Sequence, residues 1–492
     1  MKLNIKLSTF LIAVSLIVYL ILYAFLQSER MNVALISKIL IFNLLIIVIF
    51  FLQYEPYSNL RKQYIRISTI FLLGYCVVFF QFNLDYVLGN VGESFTRFWV
   101  NYNIVPKALI ISSIGLVCFL LGYSIKKQFP TRKKIEITPS KLSLNGYNVL
   151  TALFLLIYLI TINPLYIAGG YGVMEMGEPA RFCAVLFELS FTAGIIQHIL
   201  NLSSDNRKEI SPFQFVKSLG LLRLSFLIVY TFTVLASGDR GPVIYLATGI
   251  VASYIVLTKW KISMYKFIGV FFLASVIVSS LTVLRNNINS NVPISVRLFE
   301  AFIGNNKSGG YVSLENINSI SGSTLELSTS VRTLHIAVNE VPQNRPFFYG
   351  KFQMLKIVTI IPLGQQAIKY FFHLKDTELT SEKYISELVG AKKGSEGTSC
   401  IADLYLDFGL VGVILVMFLF GYYVRFIEVE ALGKNHFGKV ISIIAFVIIC
   451  QYAIYIPRAT ILFNLRNIVW VWSIIKIVNI LTPKGKQRIT IE

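Results

Sequence analysis

Apolar runs of about twenty residues recur along most of this chain, separated by short polar stretches, and that pattern predicts a bundle of membrane-spanning helices. About twelve runs can be placed, at 7–27, 33–53, 65–84, 104–125, 145–166, 181–201, 216–236, 241–258, 266–284, 400–424, 438–457 and 460–481. The first follows Lys2 and Lys6 and has no small-residue cleavage site after it, so it reads as a retained span. One long polar interruption remains. Loops beyond roughly 15 residues are uncommon unless functional, so it is expected to hold short helices lying over the spans. The predicted fold is therefore an all-α polytopic membrane protein in three consecutive parts: nine spans in 1–284, a large loop in 285–399, and three spans with a tail in 400–492.

Charge orients this bundle. Charged residues make up 14% of the chain, against roughly 25% in soluble domains, which excludes an ordinary soluble enzyme. The net charge of +20 is not gathered in one domain, as nucleic-acid binding would require, but falls in every second connection. Arg61, Lys62 and Arg66 occupy one, Lys126 to Lys141 the next, then Arg207, Lys208 and Lys217, then Lys259 and Lys261, then Arg425, Lys434 and Lys439, and finally the tail. By the positive-inside rule both termini are expected in the cytoplasm and the large loop outside. The apolar segment 352–372 contains Lys356, Pro362, Gln365, Gln366 and Lys369; counting it as a span would reverse every later connection, so an interfacial or re-entrant element is expected there.

Against that topology three stretches stand out. "ASGDRGPVIY" (236–245) puts Asp239 and Arg240 at the outer start of the eighth span, with Pro242 suited to a first helical turn and Ser237 or Asp239 to a cap. A helix start with an adjacent arginine suits phosphate, and it equally suits a capped turn whose arginine snorkels or pairs with Asp239. "EGTSCIADLYLDFGLVG" (396–412) sets Ser399, Asp403 and Asp407 four residues apart, one polar row running roughly 12 Å down an apolar helix. Carboxylates at such depth need partners or a function. Gly409 and Gly412 suggest close helix packing just below. "IPRATILFNLRNIVW" (456–470) places Arg458 in the last outer turn and Arg466 about two turns inside, at a depth where it is expected to pair with Asp407.

Further outer arginines are Arg181, Arg285, Arg297, Arg332 and Arg345, and together they favour an anionic, membrane-embedded substrate, since the guanidinium fork matches phosphate oxygens. His335, one helical turn from Arg332, is the outer histidine that could do acid–base work, although a histidine on an amphipathic helix also suits a structural position. No HExxH, P-loop, dinucleotide fingerprint or metal cluster is present in the sequence, and the five cysteines lack metal-ligand spacing; no cofactor and no metal are expected.

The stretches "SGDRGPVIY", "STSVRTLHIAVNEVPQNRPFFYGKFQMLKIVTIIP" and "EGTSCIADLYLDFGLVG", in that order around a large outer loop, resemble the bacterial oligosaccharide repeat-unit polymerases, the Wzy-type enzymes of O-antigen and capsule assembly. The resemblance covers about 236–425. It departs from the loop pattern of some members, in which an arginine is followed at a set distance by glycine: Ser308 stands in that place after Arg297. It implies a GT-C-like glycosyltransferase of the bacterial inner membrane. Such an enzyme takes glycan from an undecaprenyl-pyrophosphate carrier at the outer face and joins it to another lipid-linked repeat unit. A flippase and a chain-length regulator are its expected protein partners, membrane lipids its surroundings, and nucleic acid no ligand. On this reading Arg240, Arg285 and Arg458 hold pyrophosphate, Arg332 and Arg345 orient substrate, and Asp403, Asp239 or His335 serves as acid/base. An O-antigen-ligase-like transferase and a lipid-linked oligosaccharide flippase are the alternatives; polar residues gathered at one face of the C-terminal half argue against the latter.

Overall fold

A computed structural model describes residues 5–26, 29–53, 55–92, 96–125, 144–167, 176–204, 210–263, 265, 266, 269, 322–390, 396–433 and 439–481. Its longer helices are α1 (Ile5–Phe25), α2 (Val33–Leu52), α3 (Ile67–Cys76), α4 (Val105–Ile125), α5 (Asn145–Thr161), α6 (Glu178–Ser204), α7 (Leu221–Ser237), α8 (Gly241–Thr258), α9 (Val331–Glu340), α10 (Lys351–Val358), α11 (Gly364–Phe372), α12 (Ser381–Leu388), α13 (Cys400–Glu428), α14 (Val440–Tyr452) and α15 (Phe463–Leu481). Every expected span has its helix except 266–284, nearly all of which lies outside the described residues. Among the described residues seven helices are long and apolar enough to cross a membrane, with an eighth crossing if Pro212–Ser218 and α7, bent by 96°, count as one. The segment 352–372 is not one helix. It divides into α10 and α11 at a turn where Leu363 takes φ 60°, and neither piece approaches the roughly 30 Å of a bilayer core.

The chain folds as two compact units. The first comprises Met1–Phe129, Met264–Val429 and Tyr452–Arg466. At its centre α4 and α13 cross closely. A Cβ on Gly122 would meet the Phe418 carbonyl oxygen at 2.0 Å, and one on Gly421 would meet that of Phe119 at 2.0 Å, so only glycine permits this approach. Helix α4 is buried almost throughout, while α13 leaves Val411, Leu415 and Leu419 exposed, a stripe four residues apart that suits lipid. At the C-terminal end of α13, Arg425 donates to both oxygens of Glu55 at 2.8 and 2.9 Å, and Glu428 accepts from the Ser68 amide at 2.7 Å and from the Tyr123 hydroxyl. Arg66 lies 3.9 Å from each of these carboxylates. Arg66 and Arg425, which the charge pattern marks only as orienting residues, are thus members of a buried ionic network.

The second unit comprises Pro130–Ser263, Glu430–Gln451 and Asn467–Glu492. Helix α6 is its most buried element and packs against α5 and α8. Within this unit, Arg223 donates to Asn148 at 2.8 Å and to the Gly194 carbonyl at 3.2 Å, and Tyr230 donates to Glu188 at 2.8 Å. Between α7 and α8, Gly238 adopts φ 88° and closes the first helix. Asp239 then accepts from the Gly241 amide at 3.0 Å, and α8 begins with Pro242 in its first turn, as the sequence suggests.

Candidate functional site

The polar row on α13 is where the helices of the large loop attach. Ser399 caps the helix, its Oγ accepting from the Ala402 amide at 3.3 Å, and it also accepts from Thr333 Oγ1 of α9 at 3.0 Å. One turn on, Asp403 Oδ2 accepts from the Gln353 side-chain amide of α10 at 2.6 Å. A turn further, Asp407 accepts from the backbone amides of Phe352 at 3.2 Å and Gln353 at 2.9 Å. These amides belong to the first turn of α10 and have no acceptor within their own helix, so a buried carboxylate is a fitting partner. This is the arrangement found for Asp407 where an ion pair with Arg466 was expected; Arg466 supplies neither of these hydrogen bonds.

A break in α13 strengthens the attachment. Gly409 has φ 62° and ψ −152°, a region open essentially to glycine alone. The break frees the carbonyls of Leu406 and Asp407, which accept from the Phe348 amide at 3.0 Å and the Tyr349 amide at 2.8 Å. A Cβ on Gly409 would come within 2.8 Å of the Phe347 ring, and one on Gly412 would meet Phe408 of its own helix at 2.5 Å. Neither glycine makes the helix–helix contact expected of it; that falls to Gly122 and Gly421.

Beside this attachment is a shallow cleft with room for about one water molecule, whose lining includes Lys356, Thr380, Glu382, Thr398, Asp403 and Thr460. Its apolar wall is Phe352 and Leu379. Asp403 is only 4% exposed, yet its second oxygen, Oδ1, takes no hydrogen bond among the described residues. Of the three members of the row, then, Asp403 alone keeps a carboxylate oxygen for a ligand. Lys356 lies 6.0 Å over the Phe463 ring and has no ion-pair partner among the described residues. A free carboxylate oxygen, an unpaired ammonium and several hydroxyls can hydrogen-bond a single hydroxyl group and take a proton from it.

The other expected residues are dispersed. Arg458 is half-buried in a short 3₁₀ turn, Ile456–Arg458, two residues before Thr460 of the cleft. Arg332 pairs with Glu396 and so anchors the entry to α13. Arg345 is exposed, its guanidinium 5.7 Å over the Tyr384 ring. His335 is wholly buried, stacked on Trp99 at 6.0 Å and edge-on to Phe98, with neither ring nitrogen hydrogen-bonded among the described residues. Burial, helped by the Arg332 charge, pushes its ring down to about 3, so it is a neutral packing residue in this structure. Asp239 and Arg240 belong to the second unit; Arg285 and Arg297 lie outside the described residues.

Comparison with protein families decides the affiliation. The family model described as O-antigen polysaccharide polymerase Wzy matches residues 7–484. The chain belongs to that family. A search of curated proteins finds no match, and neither does a search of solved structures. Wzy polymerases act on lipid-linked oligosaccharide repeat units in membranes, which sets the chemistry that a Wzy site must serve. In this Wzy chain the residues that sequence reasoning passes over are Gln353, Lys356, Thr380 and Glu382. Gln353 and Lys356 sit three apart on one face of α10, and that spacing within an apolar segment was the available signal.

Proposed function

We propose that this chain polymerises oligosaccharide repeat units at the outer face of the cytoplasmic membrane. The glycan leaves an undecaprenyl-pyrophosphate carrier for a sugar hydroxyl of another lipid-linked unit. In this reading the chain has twelve spans and cytoplasmic termini, and the cleft beside Asp403 opens outside. The observation that carries it is the Asp403 carboxylate, with Oδ2 fixed by Gln353 and Oδ1 without a hydrogen-bond partner among the described residues, in a cleft lined by hydroxyls, a lysine and a glutamate. Asp403 takes the proton of the attacking hydroxyl as that oxygen bonds to the donor's anomeric carbon. The bond from that carbon to pyrophosphate breaks, and its electron pair leaves with the carrier. Arg458, close in sequence to Thr460, is assigned to the developing pyrophosphate charge. Arg240, at a helix start in the second unit, and Arg285 are separate anion candidates, each to be tested alone.

Deletion followed by sizing of the surface glycan tests this reading. A polymerase deletion leaves single repeat units on the surface. If no repeat unit reaches the surface, the chain is a flippase and the proposal fails.

A further inference from the structure

Helix α11 turns an apolar side away from the protein. Ala367 and Phe371, and beside them Ile368 and Phe372, stand four apart on one face, while Gln365 and Lys369 share another. Tyr370, Phe371 and Phe372 are 76%, 74% and 70% exposed, and Leu363, in the turn before the helix, is 74% exposed. So much contiguous apolar surface marks an interaction site. Helix α10 is divided in the same way. Phe352, Gln353 and Leu355 are buried, with Gln353 bonded to α13, whereas Met354 and Ile357, three apart, are exposed.

Continuity with α13 indicates what covers this surface. Phe408, Val411, Leu415, Leu419 and Tyr423 form an exposed apolar stripe, about 22 Å long by helix rise, on a helix of membrane length. At the head of the stripe α10 begins. A Cβ on Gly350 would meet the Phe408 ring at 2.6 Å, and Tyr349, itself exposed, donates its amide to the Asp407 carbonyl. The α10–α11 hairpin thus leaves α13 at the rim of its lipid-facing band. Its helices, of eight and nine residues, are about 12 and 14 Å long, so they can lie along a bilayer but not cross it. Charge agrees. Residues 349–375 include Lys351, Lys356, Lys369 and Lys375 and no Asp or Glu. Lys351 and Lys369 pair with Glu378 and Asp376 just beyond, which leaves the hairpin basic. Aromatic rings at headgroup level, with lysine stems running along apolar surface toward phosphate oxygens, are the pattern of a membrane–water interface.

We propose that α11 and the exposed side of α10 are seated in the headgroup–acyl boundary of the bilayer, in the leaflet where α13 begins, with phospholipid acyl chains covering Tyr370, Phe371 and Phe372. This seating does not depend on Asp403 as the base. It gives the hairpin two attachments on opposite sides: Gln353 to α13, and α11 to lipid.

The test uses the full-length protein in nanodiscs containing a phospholipid with a photoreactive diazirine in its acyl chain near the glycerol. After illumination, adducts are mapped by mass spectrometry. Adducts are expected on Leu363 and on 370–372 at yields within about threefold of those on Val411 and Leu415, the internal standard. Adducts on α13 with none on α11 overturn the proposal, and adducts on neither remove the continuity on which it stands. Loss of the α11 adducts on adding undecaprenyl pyrophosphate overturns it too, by making this face a site for the carrier and not for bulk lipid. Phe371→Asp with Phe372→Asp, charges that the boundary rejects, should lower the adducts on Leu363 and Tyr370 about tenfold and leave those on α13 unchanged. Unchanged adducts on Leu363 and Tyr370 in that variant contradict the seating, and should the variant misfold, labelling of the wild-type protein decides alone.

Discussion

The Gln353 side-chain amide donates to Asp403 Oδ2 at 2.6 Å, across 50 positions of sequence, and its own backbone amide is held by Asp407 at 2.9 Å. One glutamine thus links both carboxylates of the α13 row and sets the direction of the one that borders the cleft.

Gln353 is therefore a positioning residue. Gln353→Leu is expected to lower polymerisation about tenfold or more at saturating substrate by releasing Asp403, with KM changed little. Gln353→Glu keeps the shape but sets a third carboxylate against the other two, and the pH optimum should fall as that carboxylate must be protonated to donate. Steady-state rates on lipid-linked repeat units across pH distinguish this from a purely structural role, for which both variants would lose protein and keep the pH profile.

Asp407 serves attachment. Asp407→Ala leaves two buried amides without acceptors and is expected to cost on the order of 3 kcal/mol. Reversal of charge at both positions, Asp407→Arg with Arg466→Asp, should not restore what Asp407→Arg loses. Recovery of folded protein in the double variant, measured by size-exclusion yield, would show that the ion pair matters after all.

Gly409→Ala tests the break in α13. The added Cβ meets the Phe347 ring at 2.8 Å and forces a conformation that alanine avoids, so a loss of about 2–3 kcal/mol in stability is expected. Helix α13 can escape by straightening, which withdraws the Leu406 and Asp407 carbonyls from Phe348 and Tyr349. Faster hydrogen exchange at those two amides, with α13 itself protected, is the expected signature.

His335 supplies a pH dependence. Its ring is pushed down to about 3 in the folded chain, against roughly 6.5 when unfolded, so between these values the unfolded state binds a proton that the native state does not. Stability should be fully present above about 6.5 and fall as pH drops toward 3, by up to about 1.4 kcal/mol per pH unit from this group. His335→Leu, which retains the packing against Trp99, should flatten the difference in melting temperature between pH 7.5 and pH 5 and leave polymerisation intact. Loss of activity without loss of stability would return His335 to the list of acid–base candidates.

The long helices were legible because each is an apolar run of membrane length, and the row Ser399, Asp403 and Asp407 because polar residues four apart share a helical face. Its partners were not. Thr333 and Gln353 arrive from 66 and 50 positions away, and two of the acceptors' donors are backbone amides, which leave no mark in side-chain pattern. Helix rise sets Asp407 and Arg466 at similar depth but says nothing of the free amides at a helix start, and it is from these that Asp407 accepts. His335 drew attention by its chemistry, while Trp99 and Phe98, which bury it, lie in a distant part of the chain. Gly409 looked like a packing glycine because a break in the middle of an apolar helix has no sequence mark other than glycine itself.

Asp403 is the residue assigned as the base that activates the acceptor. Purified protein given lipid-linked repeat units should form polymer, and Asp403→Asn, which retains the side-chain volume and the capacity to hydrogen-bond, should slow it by about 10²–10⁴-fold while repeat units still bind. Polymer formed by Asp403→Asn at the wild-type rate would contradict the account.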